Sequence, residues 1–317
     1  MKILITGGAG FIASSIADAY IGAGHEVVVV DNLYSGKREN VPAKARFHEV
    51  DIVSPKIAEV LEAERPDVIS HHAAQMDVRL SVASPAFDAE VNIIGSIRLY
   101  EAAVKTRVKK IIFASSGGAA YGEQLHFPAR EGDPTNPVSP YGVSKRSGEL
   151  YLFYYHAAHG LPYVAFRYAN VYGPRQDPHG EAGVVAIFCE KLLRGEPPRI
   201  NGDGKQTRDY VYIEDLVRAN LTALDSPFIG PINIGTGRET DVVTLAQRLI
   251  AISGNEVQPT HGPAKSGEQR RSVIDPAVAK RELGWEPRVA LEDGLRRTYE
   301  WFREKRGQST FPTATSD

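Results

Sequence analysis

Tyr141-Gly142-Val143-Ser144-Lys145 sets a phenol and an ammonium four residues apart. On a helix that spacing puts both on one face, within reach of one bound molecule. A phenol ionises near pH 10, so alone it is a poor base at neutral pH. An adjacent ammonium favours the phenolate and brings it toward working pH. Upstream, the apolar run IIFA ends in Ser115-Ser116-Gly117-Gly118. A serine hydroxyl at a strand end can bond the substrate oxygen that loses its proton. Taken singly, each feature also has an ordinary reading, as an exposed helix pair and a strand-end turn.

A second constellation lies at the start of the chain. KILIT runs directly into Gly7-Gly8-Ala9-Gly10-Phe11-Ile12-Ala13. It reads as G-x-G-x-x-A on Gly8, Gly10 and Ala13, or as G-x-x-G-x-x-A on Gly7, Gly10 and Ala13. Glycines let the backbone turn sharply and approach a pyrophosphate, and the helix that follows presents free N–H groups and a positive dipole end. The next apolar run, EVVVVD, ends in Asp31. An acid there accepts from adenosine ribose hydroxyls and repels a 2′-phosphate, which favours NAD over NADP. Lys37 and Arg38 nearby keep NADP open.

These residues need a scaffold. Runs at 2–6, 26–31, 67–71, 110–114 and 163–168 are rich in Val, Ile and Phe and read as buried parallel strands. Helical stretches at 10–23, 85–107 and 141–159 separate them, with Gly24 and Gly160 as stops. The alternation predicts right-handed crossovers and an α/β fold: a doubly wound parallel (Rossmann) sheet. Beyond 170, Pro174, Pro178, Pro197 and Pro198 loosen the pattern, and helices read at 183–195, 213–225, 241–253 and 291–304. The expected division is a dinucleotide-binding domain at 1–170, with 208–237 packing back on it. A smaller mixed α/β substrate-binding region follows at 171–306, then a flexible tail at 307–317.

Composition narrows the function classes. The 317 residues are enough for one large domain or two at roughly 100–200 each. Thirty-seven Lys and Arg against 39 Asp and Glu leave a net charge of −2, too weak a field to favour nucleic acid or an anionic membrane. The single cysteine, Cys189, excludes an intrachain disulfide and a cysteine-cluster metal site, and fits a reducing cytoplasm. Gly7 interrupts the first apolar run too early for a signal-peptide core, and no run approaches a membrane span. His71 and His72 adjoin without an acid or histidine partner at ligand spacing, so no metal is expected and they line the cofactor cleft.

TGGAGFIAS, DNLYSGK, HHAAQ, FASSGGAAYGE, YGVSK, RYANVYGPRQDPHG and RDYVYIEDL in this order resemble the extended short-chain dehydrogenase/reductase family. Within it the likeness is to the NAD-dependent nucleotide-sugar epimerases of UDP-glucose 4-epimerase type, from Met1 to about Arg303. The resemblance implies that Gly7, Gly10, Phe11 and Ile12 hold the pyrophosphate. Asp31, Asn32 and the loop through Tyr34, Ser35 and Gly36 hold the ribose, and Asp51 and Ile52 flank adenine. Ala73, Ala74, Gln75 and Asn92 line the cleft, and Tyr168 belongs to the same set. Tyr141 is the implied base, and Lys145 its pKa tuner and ribose ligand. A UDP-sugar is the implied substrate. Asn170 and Arg208 face its diphosphate, Val184 and Val185 the sugar, Arg199 to Asn201 the uracil, and Glu268 the uridine ribose. Lys265 stands where relatives carry arginine and loses the bidentate geometry. Relatives pair two helices into a four-helix contact, so a homodimer is implied.

The hydroxyl that partners Tyr141 falls on Ser116 when counted forward from Phe113 and on Gly117 when counted back from Tyr121. Gly117-Gly118 reads as a one-residue insertion, which assigns the role to Ser116 with Ser115 as fallback. Gly117-Gly118-Ala119-Ala120 lacks the acid/base pair that a 4,6-dehydratase needs, and a UDP-glucuronate decarboxylase is disfavoured for similar reasons. UDP-glucuronate epimerisation stays open through Arg79 or Arg175. The intact Ser116, Tyr141 and Lys145 set argues against a silent NAD-binding regulator. The family's pocket gatekeeper falls on Ser272, small enough to admit an N-acetyl group at C2.

Overall fold

The computed structural model describes residues 1–179, 183–264 and 269–309. The first half alternates as β1 (Lys2–Thr6), α1 (Phe11–Gly22), β2 (Glu26–Asp31), β3 (Arg46–Glu49), α2 (Lys56–Glu64) and β4 (Val68–His71). Next come α3 (Val78–Ala83), α4 (Pro85–Ala89), a π turn at Glu90–Ile94, α5 (Gly95–Lys105), β5 (Lys110–Ser116), α6 (Gly117–Tyr121), α7 (Pro140–His159) and β6 (Tyr163–Tyr168). The second half holds β7 (Asn170–Tyr172), α8 (Val184–Leu193), β8 (Arg199–Asn201), β9 (Thr207–Arg208), β10 (Tyr210–Tyr212), α9 (Ile213–Asp225) and β11 (Gly230–Ile234). It ends with β12 (Thr240–Asp241), α10 (Val242–Ser253), β13 (Thr260–Gly262), β14 (Arg271–Ser272), α11 (Ala277–Leu283) and α12 (Leu291–Ser309).

Seven strands form one parallel sheet in the order β11-β6-β5-β4-β1-β2-β3. Successive side chains of a strand point to opposite faces. Accordingly Ile3, Ile5, Val27 and Val29 enter one core with Ile16 and Tyr20 of α1. Leu4, Val28 and Val30 enter the other with Leu61 of α2, Leu99 of α5 and Leu152 of α7. Both faces are covered by helices, which is why these strands are almost wholly apolar. The sheet reaches its order 3-2-1-4 reversal at β1 and β4, and ligands of such sheets sit beyond the carboxyl ends there.

Three expectations are revised. The single helix expected at 85–107 is α4, the π turn and α5; the turn carries Asn92 into the interior. The strand expected at 110–114 runs on to Ser116, because Ser115 and Ser116 pair with Arg167 and Tyr168. Gly117-Gly118 begins the short helix α6.

The second half is built from shorter pieces. β7 pairs with β10, β13 with β8, and β9 lies between β12 and β14. Beneath them Phe188, Leu192, Leu245, Leu249, Leu295 and Phe302 form a third core from α8, α10 and α12. β11 leaves this half and closes the edge of the main sheet beside β6.

Candidate active site

The glycine turn packs against the loop after β4. Gly7 has φ +70°, and a Cβ there would lie 2.7 Å from the Ala73 nitrogen. A side chain at that point would therefore meet backbone. Gly10 caps α1 without a side-chain partner, so the first N–H groups of the helix face the turn. Asp31, buried at the end of β2, accepts from Ala9 N at 2.9 Å and from Leu33 N at 2.8 Å. A carboxylate has lone pairs to spare for further donors. A Cβ on Gly36 would crowd that carboxylate at 2.8 Å. Asn32 donates to Asp51 at 2.8 Å and its side-chain oxygen accepts from Tyr34 N, which ties the loop holding Tyr34, Ser35 and Gly36 to Asp51. Ile52 is buried against Gly95. These features fit a dinucleotide: an uncapped helix start, a turn that admits only glycine, and a seated acid where the ribose would lie. Lys37 lies 3.9 Å from Asp177, and the Arg38 guanidinium stacks over Phe47.

The cleft wall is a hydrogen-bonded unit. Gln75 N donates to Asn92 Oδ1 and Asn92 Nδ2 to Gln75 O, both at 2.9 Å. Thr6 Oγ1 accepts from Ala73 N, adjoining Ala74, and bonds His71 Nδ1 at 2.7 Å. His71 Nε2 bonds Ser96, whose hydroxyl donates to Asn92 O. Burial holds His71 well below the usual histidine range and His72 at about 3, so both rings are neutral. Among the described residues no group of three His, Cys, Asp or Glu could hold a metal ion. Tyr168 is buried, stacks on His72 and accepts from Asn220 at 2.8 Å; burial pushes its phenol far up.

α7 starts at Ser139, which caps Gly142 N, with Pro140 at the first helical position. Lys145 is buried, donates to Ala114 O at 2.8 Å, and lies 5.7 Å from the Tyr141 ring centre. Burial pulls its pKa to about 8, against the opposing pull of Asp88. A Cβ on Gly142 would come 2.5 Å from Ala119 O, so glycine lets the Tyr141 turn press onto α6. Ser116 caps α6 by accepting from Ala119 N at 3.2 Å, a bond that leaves its O–H to donate elsewhere. Ser115 points to the other use: its hydroxyl donates to Glu149 at 2.6 Å inside a network with Arg167 and Tyr121.

Among the residues that the resemblance assigns to the substrate, Ser272 is buried, and a Cβ on Gly118 would lie 3.4 Å from its hydroxyl. It thus stands over the turn that Ser116 begins. β14 pairs Ser272 with Arg208. Neighbouring Arg270 is held by Asp203, and Arg271 by Glu239 and the Phe127 ring, so neither crowds Ser272. Asn170 is exposed and pairs with Tyr210; Val184 and Val185 open α8. Arg199 and Asn201 lie opposite Thr260 and Gly262. Lys265 and Glu268 lie outside the described residues. Arg175 is taken by Asp18 and Ser14 of α1, and Arg79 contacts Asp77. Asp88, which bonds Gln75, Asn92 and Ser144, is a residue that the sequence did not single out; an acid four positions before Asn92 was its one signal.

The fold and site define a dinucleotide-dependent enzyme of the extended short-chain dehydrogenase/reductase class. The model of the NAD dependent epimerase/dehydratase family matches residues 3–235, and the chain belongs to that family. It is 44% identical to UDP-glucose 4-epimerase of Mycolicibacterium smegmatis over 311 residues, covering 96% of this chain and 99% of the relative. The solved UDP-glucose 4-epimerase of Thermotoga maritima with UDP-glucose matches at 50% identity and TM-score 0.95, covering 96% of this chain and all of that one. The Thermus thermophilus UDP-glucose 4-epimerase complex with NAD matches at 43% and 0.91, covering 96% and 99%.

Proposed function

We propose that this chain is an NAD-dependent UDP-hexose 4-epimerase, acting on UDP-glucose and UDP-galactose and also on their 2-N-acetyl counterparts. One observation carries the reading: a buried lysine beside Tyr141, on a helix turn pressed by Gly142 against the turn that Ser116 caps. Relatives named UDP-glucose 4-epimerase over nearly the whole chain support it.

NAD, when bound, supplies a hydride acceptor at the sugar C4 and then a donor to either face, so no net oxidation occurs. The chain's residues handle the proton and the geometry. Tyr141, as phenolate, takes the 4-hydroxyl proton and returns it. Lys145 stabilises the phenolate and meets the cofactor ribose. Ser116 bonds the sugar 4-oxygen. Gly7, Gly10, Phe11, Ile12, Asp31 and Asn92 hold the cofactor; Asn170 and Arg208 hold the diphosphate. Gly117 to Ala120 carry no titratable side chain, so elimination has no acid/base pair there. Arg175 is engaged by Asp18, which disfavours a glucuronate substrate.

We place the cofactor domain at 1–170 with 208–237, and the sugar-binding region in the rest up to 306. A homodimer through α7 accounts for its exposed Leu150, Phe153 and Tyr154, and one buried cysteine suits the cytoplasm. The test is incubation of the purified protein with a panel of UDP-sugars and separation of the products. Interconversion of 4-epimers with retained NAD supports the reading; dehydrated products or no turnover of any UDP-hexose overturns it.

A further inference from the structure

Asp88 on α4 is fully buried and has no part in the chemistry described above. Its Oδ1 accepts from Gln75 Nε2 and Asn92 Nδ2, each at 3.0 Å, and its Oδ2 from Ser144 Oγ at 2.5 Å. Three segments converge on one carboxylate: the loop after β4, the π turn and the first turns of α7. All three donors are neutral. An ionised carboxylate enclosed this way is costly unless a positive charge shares the interior. Ser144 precedes Lys145, whose ammonium is buried and spends its bond on a neutral carbonyl. Among the described residues neither ion has a contact partner of opposite sign; Asp88 bonds the residue next to Lys145, and its charge acts on that ammonium.

We propose that Asp88 is a positioning residue: it locks the Tyr141–Lys145 turn to the Gln75–Asn92 wall and is the buried counter-charge of Lys145. This rests on the role given to Tyr141 above. Among the described residues the groups facing Lys145 are Tyr141 on α7, the neutral His71 at the end of β4 and His72 just after it, the Phe113 ring and Ala114 O on β5, and Asp88 on α4. Glu149, one turn further along α7, is already paired with Arg167. Asp88 thus supplies the negative charge. Without it Lys145 gives up its proton at lower pH, and Tyr141 then faces a neutral amine and ionises at higher pH.

The test is a tyrosinate difference titration of the NAD-loaded protein, each variant measured against the same variant carrying Tyr141→Phe. It needs no substrate, so it stands even if no UDP-sugar is turned over. Asp88→Asn keeps the shape and removes the charge; Ser144→Ala removes one bond and keeps the charge. The expected result is a Tyr141 midpoint about one pH unit higher in Asp88→Asn, which well below the midpoint is a roughly tenfold smaller phenolate fraction. In Ser144→Ala the midpoint stays at the wild-type value. In turnover, Asp88→Asn lowers kcat up to about tenfold on the acid side of the pH profile, with recovery at higher pH and little change in KM. An unmoved midpoint in Asp88→Asn, or an equal shift in Ser144→Ala, overturns the proposal. Should Asp88→Asn fail to fold, Asp88→Glu decides: a wild-type midpoint supports the counter-charge and a raised one overturns it.

Discussion

The two halves of the cleft are built by different means. On the cofactor side, long parallel strands are buried on both faces, and the turn at Gly7 leaves no space for a Cβ. On the side proposed to hold the sugar, β9, β12 and β14 are two residues each. They are held partly by exposed ion pairs, Arg270–Asp203 and Arg271–Glu239. Exposed pairs contribute little, whereas a close-packed backbone contact tolerates almost nothing. The difference teaches where change is cheap. In the proposed function, a cofactor that stays through every turnover suits the rigid half, and substrate breadth suits the half made of short, exchangeable pieces.

Substitutions can break or sharpen that contrast. The largest effect is expected at the junction of the halves. Tyr141→Phe removes the proposed base and keeps the ring, so kcat is expected to fall on the order of 10²–10⁴-fold. Bound NAD, assayed after denaturation, stays near wild-type content; a variant within tenfold of wild type would displace Tyr141 from its role. Next is the rigid half. Gly7→Ala forces a Cβ into a left-handed conformation at about 1–2 kcal/mol before the clash with Ala73 is counted. The purified variant should carry little NAD and melt earlier. Full NAD content there would mean that the turn relaxes and that the two halves are similarly tolerant.

On the adaptable side the effects should be graded. Ser272→Tyr places a ring over the turn capped by Ser116. Overfilling of about 1–3 kcal/mol against the N-acetyl sugar shifts the kcat/KM ratio tenfold or more toward UDP-glucose. An unchanged ratio would mean Ser272 does not border the sugar. The smallest effect is expected for Arg270→Ala, which breaks an exposed pair worth up to about 1 kcal/mol. Its melting temperature should fall by at most a few degrees, and a collapse of activity would show the sugar side to be as rigid as the other.

How far the chain could be read in advance follows the same division. The strands at 2–6, 26–31 and 163–168 and the helix at 213–225 carry runs or periodicities many residues long and stand where the pattern puts them; the helix expected at 291–304 starts there and runs on to Ser309. The two-residue strands β9, β12 and β14 carry no period at all. Their pairing depends on what lies beside them, so local residues could not announce it.

Within the site, the nature of the chemistry came from residue type and spacing. A glycine turn between strand and helix, an acid ending the next strand, and a phenol four residues before a lysine are local patterns with local physics. Which serine is available was decided in three dimensions. Strand β5 continues two residues beyond its apolar run, and its alternation gives Ser115 to Glu149 and Ser116 to the cap of α6. Asp88 was equally hidden, because its partners lie at positions 75, 92 and 144, and only packing brings them together. Local sequence determined the reagents: covalent geometry and periodicity act over a few residues. Tertiary structure decided their partners and charges, because burial and electrostatics depend on which distant segments share the same interior.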